Sequence, residues 1–199
     1  MKILLLSNND NVNALKNKLI DMGEDVVLYH DKVTAGFVKE LDPGFVVVYN
    51  YRSIIKEDVI GLLGNRIINL HTSLLPWNKG SSPNIWSFID DTPKGVTIHR
   101  LEKGLDTGKI LLQKELFFDE EKETLCTTYE KLNEEIVSLL CDNWEDIKNG
   151  KIPLKDQETN GTYHRTADLE AILGGRKIDY SMTVKGFKEF IAECRKEKK

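Results

Sequence analysis

Lys2-Ile3-Leu4-Leu5-Leu6-Ser7, Asp25-Val26-Val27-Leu28-Tyr29 and Phe45-Val46-Val47-Val48-Tyr49 are three short apolar runs within the first quarter of the chain. Between them, Val12–Met22 and Val33–Leu41 carry helix-like spacing, and Lys56–Leu63 follows as a third helical stretch. Brief strands alternating with helices predict a parallel sheet joined by crossover helices, the open, doubly wound α/β type. Working outward, Arg66–His71, Val96–Leu101 and Ile110–Leu116 read as further strands. Ligands of such sheets bind outside the carboxyl ends of the strands, which directs attention to the residues that follow each run.

The second half is more helical. From Thr124 to Asn149, the residues Leu125, Tyr129, Leu132, Ile136, Leu139, Leu140, Trp144 and Ile147 recur at spacings of three and four, predicting one long helix with a buried stripe. Thr124 or Thr127 would cap its start and Gly150 would stop it. A final helix is expected over Thr183–Glu193, with Val184, Phe187, Phe190 and Ile191 on one side. Another should start near Ser82-Pro83 and carry Trp86 and Phe88 into the core.

Bulk composition bounds the function. At 199 residues the chain is expected to form a single domain with a substantial core. A formal net charge of −4 argues against a nucleic-acid partner held by phosphate neutralisation. Cys126, Cys141 and Cys194 lack metal-type spacing, so no metal site is expected and the thiols are read as reduced. Ile3–Leu6 is too short for a signal peptide and no run approaches a membrane span, predicting a cytoplasmic protein with no membrane partner. The mixed-charge tail Arg195-Lys196-Glu197-Lys198-Lys199 reads as a solvated end.

The chemistry concentrates in Asn69-Leu70-His71-Thr72-Ser73-Leu74-Leu75-Pro76, where Ile67-Ile68 runs into a loop. Alternation puts Asn69 and His71 on one face of a strand, roughly 7 Å apart. A second suspect, Gly104-Leu105-Asp106-Thr107-Gly108, brackets an acid with glycines that allow a tight turn and close backbone approach. Together the three polar side chains could move an acyl group onto an amine. Asn69 would donate to the developing oxyanion, His71 would donate a second bond or accept the amine's proton, and Asp106 would orient the imidazole and favour its charged form. One oxyanion donor is worth about 3–4 kcal/mol. The rival reading is a satisfied, buried Asn/His pair with Asp106 bonding its own turn.

Asn69–Pro76 with Gly80, then Gly95-Val96-Thr97-Ile98-His99 and Leu105-Asp106-Thr107-Gly108, resembles the formyltransferases that use 10-formyltetrahydrofolate. The resemblance covers roughly Phe45 to Leu116. It implies a Rossmann-like fold, catalytic roles for Asn69, His71 and Asp106, and 10-formyltetrahydrofolate as co-substrate without a metal. By the same resemblance, the folate pocket falls on Tyr51, Arg52, Ser53 and Ile54 and on Glu102, Lys103 and Gly104. It further implies a formyltransferase catalytic domain over residues 1–150, with 151–199 packing on that domain or on a dimer partner.

Within the family, Ser7-Asn8-Asn9-Asp10-Asn11 lacks the glycine-rich phosphate loop of transferases acting on glycinamide ribonucleotide. Tyr49-Asn50-Tyr51-Arg52, Pro76–Ser87, Thr92–Thr97 and Gly161–Arg165 with Asp168-Leu169 resemble the branch that formylates nucleotide-linked amino sugars of surface polysaccharides such as O-antigen. In that branch Trp77, Asn78 and Lys79 are candidate substrate contacts: Trp77 offers a stacking face, and Lys79, like Arg52, could meet a pyrophosphate. The alternatives are a purine-pathway transferase and a non-catalytic relative that binds folate or nucleotide.

Overall fold

A computed structural model of the chain describes residues 1–158 and 160–196. Glu197, Lys198 and Lys199 of the charged tail lie outside them. The elements are β1 (Lys2–Leu6), α1 (Val12–Asp21), β2 (Asp25–Tyr29), α2 (Ala35–Leu41), β3 (Phe45–Tyr49), α3 (Glu57–Leu63), β4 (Ile67–His71), β5 (Lys79–Gly80), α4 (Pro83–Ile89), β6 (Lys94–Arg100) and β7 (Ile110–Leu116). After them come α5 (Leu125–Asp142), α6 (Trp144–Lys148), β8 (Tyr163–His164), α7 (Thr166–Leu173) and α8 (Val184–Lys196).

Six strands form one mostly parallel sheet in the order β2-β1-β3-β4-β6-β7, flanked by helices as the alternation predicted. β1 lies parallel to β2 and β3, and β3 parallel to β4. Leu101 donates to the Ile67 carbonyl while Asn69 meets His99, so β6 runs antiparallel to β4. The outer strand β7 exposes Gln113, Lys114 and Glu115, and Lys114 pairs with Glu135 at 2.5 Å. No helix among the described residues is long and apolar enough to cross a membrane.

The chain divides into two compact units. Among the described residues, one comprises 1–71, 98–112 and 136–157, the other 72–97, 113–135, 158 and 160–196. In the first, Leu4, Leu6, Val46, Val48, Val59 and Leu63 form a single apolar cluster, and every residue of β3 is buried, as expected of a central strand covered on both faces. Phe45 meets Trp144 edge-on at 5.4 Å between ring centroids. Glu24, whose side chain is 2% exposed, accepts hydrogen bonds from Trp144 Nε1 at 2.8 Å, Lys148 Nζ at 2.7 Å and the Met1 amine at 2.5 Å. In the second unit, Ile85, Phe88, Leu125, Val184, Phe187 and Ile191 make the core, so α4 and α8 bury the expected faces.

The expected single helix over Thr124–Asn149 is in fact two, α5 and α6, and Asn143 is the reason. Its backbone turns out of helical geometry (φ −116°, ψ 8°) and its N–H bonds Leu140 rather than Leu139. Its own side-chain Nδ2 takes the Leu139 carbonyl at 2.9 Å. An asparagine amide has thus replaced the backbone donor that would have continued the helix. The other end follows expectation. The Thr127 N–H donates to Thr124 Oγ1 at 3.1 Å and the Thr124 N–H to Thr127 Oγ1 at 2.9 Å, a reciprocal cap.

Candidate active site

Strand β4 ends with Asn69 half-buried and His71 only 6% exposed. Because β6 runs back beside β4, it sets His99 opposite Asn69, with Asn69 Nδ2 3.1 Å from His99 Nε2. Asp106 comes from the loop that leaves β6. Its Oδ1 accepts from Asn69 Nδ2 at 3.3 Å and lies 3.5 Å from His99 Nε2, and its Oδ2 lies 3.7 Å from His71 Nδ1. The three residues singled out from the sequence therefore share one constellation. His99 joins them. It stood in the quoted Gly95–His99 motif without an assigned role, and only the antiparallel return of β6 reveals it.

Proton positions follow from the partners. His99 Nδ1 sits 2.8 Å from the Arg100 carbonyl, which can only accept, so Nδ1 carries the hydrogen. Asn69 Nδ2 can only donate, so the Nε2 lone pair of this tautomer faces it. The Asn69 amide thus has an acceptor for each N–H: a ring nitrogen and a carboxylate oxygen. His71 presents Nδ1 to Asp106 across an ion-pair distance. Arg100 beside this group is buried. Burial pushes its guanidinium below the ordinary range, and it donates to the Asn65 carbonyl.

The loop carrying Asp106 is shaped by the two glycines. A Cβ on Gly108 would lie 1.9 Å from the Arg100 carbonyl oxygen, and Gly104 adopts φ +105°. Asp106 itself is left-handed at φ +51°. Such a residue turns its carbonyl away from the regular path, which brings its carboxylate under Asn69.

The two loops expected to hold folate both border one apolar cluster. Tyr51, Ile55 and Leu101 pack on one cluster, and Lys103 pairs with Glu57 at 3.2 Å. Arg52, Ile54, Glu102, Lys103 and Gly104 are exposed, and Ser53 is half-buried. The Tyr51 hydroxyl is engaged within the protein, donating to the Asp31 carbonyl and accepting from the Val33 N–H at 2.9 Å. Ile54 (80% exposed) and Leu105 (49%) are bare apolar side chains on these loops. At the β1/β3 switch point, Asn8 Nδ2 donates to the His30 carbonyl at 2.7 Å and Asn8 Oδ1 accepts from the Arg52 N–H at 2.9 Å.

Trp77, Asn78 and Lys79 belong to the second unit. Trp77 and Lys79 are half-buried there, and Lys79 opens the two-stranded β5–β8 sheet. Asn78 is wholly buried at φ +57°. It donates to Thr92 Oγ1 at 2.7 Å and accepts from Thr162 Oγ1 at 3.0 Å. Thr162 stands in the Gly161–Arg165 motif, whose structural part was hidden because β8 has only two residues. Next to it, His164 stacks on Trp86 at 3.7 Å between centroids. Thr97 donates to the Ser73 carbonyl at 2.7 Å and accepts from the Leu75 N–H at 3.0 Å, tying down the loop after β4.

Comparison with known proteins gives this geometry a context. PseJ from Anoxybacillus kamchatkensis, solved in complex with UDP-4,6-dideoxy-4-formamido-L-AltNAc and tetrahydrofolate, is 40% identical. The match covers 94% of this chain and 97% of that one, with a TM-score of 0.86. A 4-N formyltransferase from Francisella tularensis shares the fold at 21% identity and a TM-score of 0.74, over 96% of this chain and 85% of that one. Methionyl-tRNA formyltransferase from Caldanaerobacter subterraneus subsp. tengcongensis is 34% identical over 128 residues. That segment is 63% of this chain but 41% of the curated relative. The family model described as formyl transferase matches residues 4–143, across β1 to β7 and the whole of α5. By that match, which takes in Asn69, His71, His99 and Asp106, the chain belongs to the formyl transferase family.

Proposed function

We propose that this chain transfers a formyl group from 10-formyltetrahydrofolate to the amine of a nucleotide-linked amino sugar, a modification suited to surface polysaccharides. The observation that carries the acceptor class is the likeness to PseJ, 40% identical with a TM-score of 0.86 and solved with a UDP-linked formamido sugar.

Folate suits these loops, which border one apolar cluster and, at Ile54 and at Leu105 just after Gly104, expose apolar surface for a flat heterocycle. When bound, it supplies an activated formyl carbonyl, so the protein needs no covalent nucleophile. Asp106 favours a proton on His71 Nδ1 and on the amide face of Asn69, so both side chains keep one orientation. His71 Nε2–H faces the formyl oxygen as negative charge builds there. The Asn69 N–H now 3.3 Å from Asp106 is the looser of its two bonds and is the one redirected to that oxygen. His99 holds the other N–H throughout. Asp106, thereby relieved of a donor, accepts a proton from the attacking nitrogen. The balanced outcome is a formamide on the sugar and tetrahydrofolate, with one amine proton passing to the folate nitrogen.

The test is incubation with 10-formyltetrahydrofolate and a panel of nucleotide-linked amino sugars, glycinamide ribonucleotide and methionyl-tRNA, scored by mass for one added formyl group. Formylation confined to amino sugars is expected. Turnover of either other acceptor in preference to every sugar would overturn the assignment.

A further inference from the structure

We infer that Gln157 is a positioning residue for formyl transfer, holding the Asp106 carboxylate in place by clamping the main chain that carries it. The inference rests on the function proposed above and concerns a residue beyond the segment that the family model matches.

Gln157 Nε2 donates to the Asp106 carbonyl at 2.8 Å and to the Gly108 carbonyl at 2.8 Å. Two carbonyl oxygens can be satisfied only by the NH2 end of an amide, so the side chain has one workable orientation. Its other end confirms the commitment: Oε1 is buried with no hydrogen-bond partner among the described residues. A half-satisfied buried amide is unfavourable, and the two bonds from its donor end offset that cost.

The bond matters because of what it holds. Asp106 at φ +51° is in a region that L side chains rarely adopt, and Gly108 leaves no space before the Arg100 carbonyl. Within the loop, Thr107 Oγ1 donates to the Lys103 carbonyl at 3.0 Å, which closes the turn but does not fix it to the sheet. Gln157 supplies that anchorage. Its own segment is docked by reciprocal backbone bonds between Ile110 and Lys155 and by the Lys109–Asp156 pair at 3.3 Å. With Asp106 meeting Asn69 at 3.3 Å and His71 at 3.7 Å, a small drift of the loop breaks both contacts.

Two substitutions isolate the donor. Gln157→Glu keeps the shape but sets a carboxylate against two carbonyls, whereas Gln157→Lys keeps an N–H donor in reach of both. A displacement of about 1 Å in a catalytic group lowers turnover on the order of a hundredfold. We therefore expect kcat to fall roughly ten- to a hundredfold in the Glu variant with KM for the amino sugar little changed, and to recover most of its value in the Lys variant. Hydrogen exchange across residues 102–109 should quicken in the Glu variant alone. Normal kcat in Gln157→Glu, or equal losses in both variants, would overturn the positioning role. If the wild type formylates no acceptor, the proposed function fails; unchanged exchange in the Glu variant refutes the clamp whatever the activity.

Discussion

Glu24 offers the sharpest physical test of the fold. Burial alone would raise its pKa. The hydrogen bonds from Lys148, the Met1 amine and Trp144 outweigh burial and bring it from 4.5 down to about 2. A carboxylate whose pKa is depressed by folding stabilises the native state fully above its unfolded pKa, and that contribution disappears as pH falls through the folded value. At about 1.4 kcal/mol per pH unit, the drop from 4.5 to about 2 is worth about 3 kcal/mol. Glu24→Gln keeps the shape, removes the charge and leaves Lys148 with Glu145, 2.6 Å away, as its carboxylate partner. Urea unfolding of both proteins, followed through tryptophan fluorescence from pH 7 to pH 2, isolates the effect because the other carboxyls titrate in each. The stability gap should be at least about 3 kcal/mol at neutral pH and shrink toward zero between pH 4.5 and 2. A gap that stays constant over that range would refute the reasoning.

Two further outcomes follow from the site. Asn69→Ala removes the amide that joins His99 and Asp106 and that, in the proposed mechanism, turns to the formyl oxygen, and should lower kcat by about 10²–10³-fold with the circular dichroism spectrum unchanged; a near-normal rate would sink the mechanism. Gly108→Ala drives a Cβ to 1.9 Å from the Arg100 carbonyl, so the Asp106 loop must shift. Loss of roughly 1–3 kcal/mol in urea unfolding and a fall in kcat with it are expected, and an alanine variant equal to wild type in both would show that the backbone there is not constrained.

The parts of this molecule that could be read in its sequence are those carried by periodicity. β2, β3 and β7 begin and end where they were expected, and β3, buried at every residue, shows why: a strand covered on both faces is written as an unbroken apolar run. Asn69 and His71 were legible as candidates for a related reason: two polar side chains stand out at the end of such a run. What escaped has a common cause as well. Asn143 ends α5 through a side-chain bond to a carbonyl four residues back, and an asparagine between Asp142 and Trp144 looks like any other polar position. His99 sits on β6, and its neighbour Asn69 is known only once β6 is seen to run against β4. Gln157 touches Asp106 from fifty-one residues away, a distance over which no local pattern carries information.

The exposed Gln113, Lys114 and Glu115 on the outer strand have a consequence for the protein in concentrated solution. An outer strand with unpaired backbone groups is an invitation to add a foreign strand, and from there to aggregate. Here any such strand would have to desolvate a lysine already neutralised by Glu135 and bring its own backbone against the adjacent glutamate. The first residue of β7 is closed off too, since Ile110 already exchanges both backbone bonds with Lys155. The bare Phe117 at the far end, 87% exposed, is therefore a single apolar side chain beside a charged border, not the start of a sticky edge.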